Sequence, residues 1–395
     1  MERDLKIFTE NIEPEAVHQV YTMASQPAFA KERVRIMPDV HSGMGCVVGF
    51  TATLSDMVIP NVLGVDLGCG MLTLQLGKIE IDFPALDAFI KSHIPAGSRV
   101  RKESSREGES LVKQLHCFSQ LHDLPRLFAS LGTLGGGNHF IEIDGDEEGN
   151  KYLVVHSGSR NLGLQVAKIY AKMAVESCKF CAEEERARVT AELKGKPELL
   201  SAAIAAVNAK YAHRTKIPNE LCYLDGEQMR SYMHDLRLCQ QFATLSRKKM
   251  ADDIAKFLKV HKYDSFETVH NFIDDDNIVR KGAIPAHKGQ RVLIPMNMRD
   301  GCLIAVGKGN EDWNCSAPHG AGRICRRSEA KDLFTVEEFR ETMQGIYSST
   351  VGEGTLDESP FVYKPMQEIV QLIAPTVEIE RVIKPLYNFK AGEAE

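Results

Sequence analysis

The feature that most constrains the fold is a long helical stretch that lies between short, glycine-broken strand segments. From Gln165 to about Lys194, and again over roughly 226–260, apolar residues recur every three or four positions among many Glu, Lys and Ala. On both sides, β-branched runs end at Gly or Pro, which is typical of short strands. These runs are VRIMPDVHSG, GCVVGFTATL, GMLTLQLG, GTLGGGNHFIEI, KYLVVHSGSR, ETVHNFI, QRVLIPMNM and GCLIAVGKG.

Helices and strands mixed in this order predict an α/β fold, of the mixed α+β kind. No repeat period and no low-complexity linker separates the segments. We therefore expect one large domain over residues 1–395 with mixed β-sheets and a helical insertion at about 165–260. Further helical patterns around 335–346 and 364–384 predict helices near the C-terminus.

The composition excludes several classes of protein. The 395 residues are 43% hydrophobic and 26% charged, as in soluble globular proteins, and no long apolar run predicts a membrane span. The N-terminus lacks the apolar core of a secretory signal, and the ten cysteines form no paired framework, so we expect reduced thiols and a cytoplasmic protein. The net charge of −6 argues against nucleic-acid binding through overall charge, so a phosphate-rich partner needs a local cluster or bound cations.

The placement of histidine is the most informative chemical signal. Five of the thirteen histidines lie in glycine-rich or small-residue contexts beside strand-like runs, where functional side chains are often found. They are His41, His139, His156, His270 and His319.

An acid and a thiol, Asp66 and Cys69, lie three positions apart in the glycine-rich stretch LGVDLGCGML. Alone, they fit packing residues, half of a disulfide, or two ligands of a metal. Beside the histidines, metal ligation becomes the favoured interpretation, since imidazole, thiolate and carboxylate suit one or two transition ions and a thiolate can bridge two. Ligand softness alone favours zinc. The glycines at 64, 68 and 70 would let the backbone aim both side chains at one site.

Other local signals carry less weight. Cys178 and Cys181 have CxxC spacing but lie in a helical stretch, so a structural or incidental pair is expected. The serines of VHSGSR lack a G-x-S-x-G elbow, and GTLGGGNHF could cradle phosphate but is not a P-loop. Arg160 and Arg323 could bind phosphate or be ordinary surface residues. His319 is flanked by Ala-Pro and Gly-Ala-Gly, which leave its ring uncrowded. It could therefore be a nucleophile, or it could be only a turn residue.

At these residues the chain resembles the RtcB family of GTP-dependent RNA ligases. The matching blocks run in the family's order from Met37 to Lys390, over nearly the whole chain. They are MPDVHSGMG, GVDLGCGM, GTLGGGNHFIE, HSGSRNLG, VHN, VRKGA, LIPMNM, SAPHGAGR and PLYNFKAG.

The resemblance implies a set of site residues around a central metal and nucleotide cleft. Two manganese ions, rather than zinc, would share Cys69, with His156 and His270 completing one ion and Asp66 and His139 the other. His319 would be the residue guanylylated by GTP. The GTP or GMP contacts would come from Asn138, Glu142, Asn271, Asn297, His319, Gly320, Ala321, Gly322, Tyr363 and Lys390, and RNA contacts from Arg160, Asp39 and His41.

The resemblance also implies a reaction sequence. Water would open a 2′,3′-cyclic phosphate, His319 would take GMP from GTP, and GMP would pass to the RNA 3′-phosphate before the 5′-hydroxyl seals the strand. We expect RNA with such ends and GTP as partners, an archease-like activator as a further partner, no membrane, and a monomer. Repair of cut RNA and tRNA splicing are both open as physiological tasks.

The chain departs from the family pattern at three places. The loop from Pro295 to Gly301 reads PMNMRDG where many members read PGSMG, Cys302 replaces an expected serine, and AGEAE follows Lys390. These departures concern nucleotide recognition. Two other functions remain alternatives: a metal-dependent cyclic phosphodiesterase that does not ligate, and a non-catalytic RNA-end-binding protein.

Overall fold

The computed structural model describes residues 3–43, 45–212 and 214–390. Met44, from the MPDVHSGMG block, and the AGEAE terminus lie outside the described residues. The predicted α/β class is confirmed, because helices alternate with several sheets of mixed topology. The strands are β1 Leu5–Ile7, β2 Val34–His41, β3 Val48–Thr53, β4 Met57–Val58, β5 Gly70–Gly77, β6 Phe140–Gly145, β7 Lys151–Ser157, β8 Leu224–Asp225, β9 Asp264–Val269, β10 Asn271–Ile273, β11 Ile278–Lys281, β12 Ala283–Pro285, β13 Arg291–Asn297, β14 Gly301–Gly307, β15 Ser316–Pro318 and β16 Val377–Lys390.

The largest sheet has seven strands in the order β13-β14-β16-β6-β7-β5-β9. Its two outer strands also meet, since the Leu293 N–H in β13 donates to Thr268 Oγ1 in β9 at 3.0 Å. The sheet therefore curls toward a closed barrel, and one face of it becomes an interior. Buried side chains from six of the strands, including Met71, Phe140 and Leu293, pack together inside it. Because side chains alternate along a strand, Ile141 and Ile143 of β6 pack instead into a second core on the outer face.

A second sheet has the order β1-β2-β3-β11-β10, and a short pair, β12 and β15, lies beside it. The chain passes from β9 in the large sheet directly into β10 in the second one. Residue His270 is the single residue between them. The two sheets therefore meet at His270, which places the ends of their strands around one region.

The helices cover the outer faces of these sheets. The long helix α8 lies against β5 and β7, so it packs directly behind the strands that carry predicted site residues. Among the described residues, no helix is both long and apolar enough to cross a membrane. The helices are α1 Pro14–Ala24, α2 Pro60–Leu63, α3 Phe83–His93, α4 Arg106–Val112, α5 Leu124–Ala129, α6 Arg160–Glu192, α7 Pro197–Tyr211, α8 Gly226–Phe257, α9 Ala330–Leu333, α10 Val336–Thr342 and α11 Met366–Ile373.

The prediction of helix over 364–384 is wrong in its second half. Helix α11 ends at Ile373, and β16 begins at Val377. Between them, Ala-Pro-Thr breaks the helix, because proline cannot continue the backbone hydrogen bonding. The sequence VEIERVIK that follows is rich in β-branched residues, and its first four residues alternate between apolar and charged, a period typical of a strand. The helical insertion is occupied by α6, α7 and α8, but its status as an insertion into one domain stays a prediction.

Arg247 of α8 connects this helix to the strands of the site. Its side chain is fully buried, and Nη1 donates to the carbonyl oxygens of Gly68 at 2.8 Å and Ser157 at 2.6 Å. Its Nε donates to Glu267 Oε1 at 2.7 Å. Two carbonyl oxygens and one carboxylate therefore accept hydrogen bonds from a single guanidinium group.

We expect Arg247→Met to lower the free energy of unfolding by about 3 kcal/mol, because methionine fills the space but leaves these acceptors without their donor. Urea unfolding followed by circular dichroism measures the change. Arg237→Met is the matched control, since Arg237 lies on the same helix, is half exposed, and is 3.9 Å from the exposed Asp275. Similar losses in both variants would contradict a specific role for Arg247.

Candidate functional site

The turn from Asp66 to Cys69 brings an acid and a thiol to the start of β5. The Cys69 N–H donates to the Asp66 carbonyl oxygen at 3.2 Å, which closes the turn. Gly68 has φ +72°, and a Cβ there would lie 2.9 Å from Gln240 Cα in α8. A Cβ on Gly70 would lie 2.7 Å from the Thr268 carbonyl oxygen. Only glycine therefore allows this turn to lie so close to α8 and β9.

Three histidines from neighbouring strands surround the Cys69 thiol. His139 directly precedes β6, His156 lies in β7, and His270 follows β9. The distance from Cys69 Sγ is 3.2 Å to His156 Nε2 and 3.5 Å to His139 Nε2. His139 Nε2 lies 3.1 Å from Asp66 Oδ2, and His156 Nε2 lies 3.4 Å from His270 Nε2. The structure therefore brings all five predicted metal ligands together.

These five residues, which we call the Cys69 cluster, divide into two groups that share the thiol. One group is Cys69, His156 and His270, and the other is Asp66, Cys69 and His139. In each group, the candidate ligand atoms lie within 4.8 Å of one another. This is the division that the resemblance implies for two ions, although the assignment of ligands stays a prediction.

The rest of the cluster's geometry suits metal ligation. His139 Nδ1 donates to the Leu134 carbonyl oxygen at 2.9 Å, and His156 Nδ1 to that of Asn138 at 3.1 Å. A ring whose Nδ1 carries the hydrogen presents the lone pair of Nε2, here toward the thiol. His270 Nδ1 is buried and has no partner among the described residues.

Burial controls the protonation of the cluster. Burial, and then neighbouring histidines, lower the pKa of His156 and of His270 well below the usual range, so both rings are neutral and can act as ligands. Burial, and then Asp66, raise the pKa of the Cys69 thiol well above its usual value. Cys69 is therefore a thiol in the ion-free protein, and a bound metal ion would have to displace its proton.

His319 lies next to this cluster, immediately after β15. Its ring centroid is 5.0 Å from that of His270. Its Nδ1 lies 2.6 Å from Oδ2 of Asp39, a buried residue of β2, and its backbone N–H donates to the same oxygen at 3.2 Å. Asp39 therefore holds the ring from behind and leaves Nε2 as the free nitrogen. In the structure, the Asp39 carboxylate contacts His319. Its contact with RNA stays a prediction.

Most residues predicted to bind GTP line one pocket beside the cluster, which we call the main pocket. They are Asn138, Glu142, Asn297, His319, Gly320, Ala321, Gly322, Tyr363 and Lys390, and His41, His156 and His270 line the same pocket. The remaining predicted residue, Asn271, lines an adjoining pocket with His41, Asn138, His270 and His319.

Asp39 and Arg160 lie outside the linings of both pockets. Arg160 is the first residue of α6 and has a positive φ of 60°. Its Nη2 donates to the Gly97 carbonyl oxygen at 3.0 Å. Its predicted contact with RNA phosphate stays a prediction.

Glu358 is a buried residue of this pocket that the sequence analysis missed. Its Oε2 accepts from Lys390 Nζ at 2.5 Å and from the Tyr363 hydroxyl at 2.7 Å. Its Oε1 lies 2.5 Å from Arg327 Nη1 and 3.4 Å from Arg323 Nη1. Burial alone would raise the pKa of Glu358, but Lys390 and the two arginines hold it far below the usual range. One carboxylate therefore orients two of the residues predicted to bind the nucleotide.

The loop that departs from the family pattern lies at the same pocket. Asn297 Nδ2 donates to Asp300 Oδ2 at 2.8 Å, so the loop from Pro295 to Gly301 is closed by its own side chains. Cys302 Sγ lies 3.8 Å from Glu142 Oε1 in the barrel interior. The Pro295–Gly301 loop and Cys302 therefore lie at the pocket predicted to bind the nucleotide, and neither contributes a ligand to the Cys69 cluster.

Fold and site together define a class of protein: an α/β protein in which a buried His/Cys/Asp cluster lies beside a carboxylate-held histidine and a pocket with acidic, basic and amide side chains in its lining. Comparison with known proteins is more specific. The chain matches the family described as tRNA-splicing ligase RtcB over residues 19–124 and 116–391, and it belongs to that family.

Curated relatives cover almost the same length as this chain. RNA-splicing ligase RtcB1 of Escherichia coli strain ATCC 25922 is 27% identical over 417 residues, which is 95% of this chain and 94% of the relative. RNA-splicing ligase RtcB of Escherichia coli K12 is 26% identical over the same shares of both chains. The tRNA-splicing ligase RtcB of Nanoarchaeum equitans is 27% identical over 93% of this chain and 89% of the relative.

Proposed function

We propose that this chain is an RNA ligase that joins a 3′-phosphate or 2′,3′-cyclic phosphate end to a 5′-hydroxyl end, through a GMP group carried on His319. Its family and the names of its relatives support RNA ligation. The observation that carries the mechanism is the position of His319. Its Nδ1 is held by Asp39, its ring contacts the Cys69 cluster, and it lines the nucleotide pocket.

The Cys69 cluster would hold two divalent ions, and we propose manganese. Its donors fit such ions, because two neutral imidazoles and a thiol form one group, and a carboxylate, an imidazole and the same thiol form the other. Bound there, the ions would supply Lewis-acid charge that offsets the negative charge of the triphosphate.

His319 would act as the nucleophile toward GTP. In the proposed step, a bond forms between Nε2 and the α-phosphorus, and pyrophosphate leaves with the bonding electrons. The carboxylate of Asp39 keeps the hydrogen on Nδ1 and balances the positive charge that develops on the ring. Glu142, Tyr363 and Lys390 would hold the base, and the backbone of Gly320–Gly322 would lie along the phosphates.

The RNA ends would enter beside His41 and Arg160. Arg323, Arg326 and Arg327 line the adjoining pocket next to His319. Each also pairs with a carboxylate, so these guanidinium groups would supply N–H donors for a phosphate rather than an excess of positive charge. Donors of this kind can hold a terminal phosphate without a basic surface.

The test is to incubate the full chain with Mn²⁺ and GTP labelled at the α-phosphate. We expect an acid-labile, hydroxylamine-sensitive label on the protein, absent from His319→Ala. His287→Ala is the matched control, because His287 is partly exposed and lies outside the cluster. The labelled protein should then join RNA with a 3′-phosphate to RNA with a 5′-hydroxyl. Cyclic phosphate opening without any label would favour a phosphodiesterase, and a label that survives in His319→Ala would exclude the proposed nucleophile.

A further inference from the structure

Two acids, Glu142 and Asp144, lie side by side in the barrel interior beneath the nucleotide pocket. They are two positions apart on β6, so both point to the interior face. Both are buried, Glu142 at 3% exposure and Asp144 at 0%. Their nearest oxygens and the Cys302 sulfur all lie within 4.8 Å of one another. Glu142 lines the pocket, whereas Asp144 does not.

The surroundings of the two carboxyl groups differ. Glu142 Oε2 accepts from Asn388 Nδ2 at 2.5 Å, and Oε1 faces the Cys302 thiol at 3.8 Å. Burial raises the pKa of Glu142, and the Asn388 amide and the positive charge of Lys390 oppose that rise. In contrast, neither oxygen of Asp144 accepts from an N–H or O–H group among the described residues, and the weakly donating Cys302 thiol is the nearest donor to it.

An ionised Asp144 would therefore be a buried anion with no donor stronger than a thiol, next to a second carboxylate. Both conditions strongly favour a protonated carboxyl group. Burial, and then Glu142, raise the pKa of Asp144 well above its usual value. The other titratable groups around the pair, among the described residues, are Cys302 from β14, Lys390 from β16 and Tyr152 from β7. Tyr152 lies opposite Asp144, but its hydroxyl donates to Asp146 Oδ2 at 2.9 Å.

We propose that Glu142 and Asp144 share one proton, which resides on Asp144, and that Asp144 is a positioning residue for the nucleotide pocket. The Asp144 O–H donates to Glu142, which stays ionised and is held as an acceptor for N–H groups of the bound base. The proposal rests on the proposed function only for the identity of that ligand. The shared proton itself follows from the buried pair.

The test uses the full chain and the variant Asp144→Asn, whose amide donates a hydrogen bond at every pH but cannot ionise. Infrared difference spectra between wild type and variant, in H₂O and D₂O at neutral pH, should contain the carbonyl band of a protonated carboxylic acid that shifts in D₂O. Asp275→Asn is the control, because that exposed carboxylate should give no such band. Absence of the band from the Asp144→Asn difference spectrum would overturn the proposal.

Binding of labelled GTP supplies a second measurement. We expect Asp144→Asn to bind GTP at neutral pH within about threefold of wild type, and Asp144→Ala about tenfold more weakly, because only the alanine removes the donor. As pH rises and Asp144 ionises, wild type should lose affinity and Asp144→Asn should not, and comparison at each pH cancels titration of GTP itself. Equal pH profiles would overturn the positioning role.

Two further outcomes separate the alternatives. If wild type contains one more divalent ion per chain than Asp144→Asn, the pair binds a cation rather than a proton, and the proposal is wrong. If wild type binds no GTP, the proposed function fails, but the infrared band still decides whether the pair shares a proton.

Discussion

Replacement of Cys69 by alanine is expected to reduce both GMP transfer to His319 and RNA sealing at least about a thousandfold. The Cys69 sulfur is the one atom common to both groups of the cluster. Its loss would remove a ligand from both ions at once, and the remaining imidazoles would lose their shared partner. Rates of label incorporation from GTP measure the first step, and metal analysis of the purified variant measures the loss of ions.

Cys181→Ala is the matched control for this variant. Cys181 belongs to the CxxC pair in α6, is half-buried, and donates to the Cys178 carbonyl oxygen of its own helix. We expect full activity and full metal content from it. Near-complete activity in Cys69→Ala would contradict the bridging role, whereas loss of activity with both ions retained would show that the thiol does more than hold metal.

The Cys69 cluster could be predicted from the sequence because its members carry local signals. Each of the three histidines lies at or beside a strand end with small residues nearby, and Asp66 and Cys69 share one glycine-rich turn. Strands that pair in a sheet bring such ends to the same edge. The strand patterns at β5, β7, β13 and β14 predicted those elements for the same reason, since periodicity is a local property.

The contacts that orient the site could not be predicted in this way. Glu358 is one acid among 54 acidic residues, and nothing near it in the sequence indicates that Lys390 and Arg327 converge on its carboxylate. The ion pair of Arg247 with Glu267 likewise depends on how α8 packs behind the sheet. Asp144 had a detectable signal, because a strand through Glu142 places it on the same face, but its lack of N–H and O–H donors appears only in the folded chain.

Asp39→Asn is expected to slow GMP transfer to His319 about a thousandfold while GTP binding changes little. Asp39 and His319 are 280 residues apart in the sequence, and their contact of 2.6 Å determines which ring nitrogen is free. A carboxylate accepts the Nδ1 hydrogen, so the Nε2 lone pair is available for attack on phosphorus. An asparagine can turn its NH₂ group toward Nδ1 instead, which moves the ring hydrogen to Nε2 and blocks that lone pair. Asparagine also cannot balance the charge that develops on the ring during attack.

Single-turnover label incorporation at saturating GTP measures this effect, and equilibrium binding of GTP shows whether the pocket remains intact. Asp276→Asn is the matched control, because this exposed acid lines neither of the two pockets and should leave both quantities unchanged. A loss of less than about tenfold in Asp39→Asn would mean that the Nδ1 contact does not select the nucleophilic nitrogen. A parallel loss of GTP binding would instead assign Asp39 to holding the pocket, since its buried carboxylate also contacts the His319 backbone N–H.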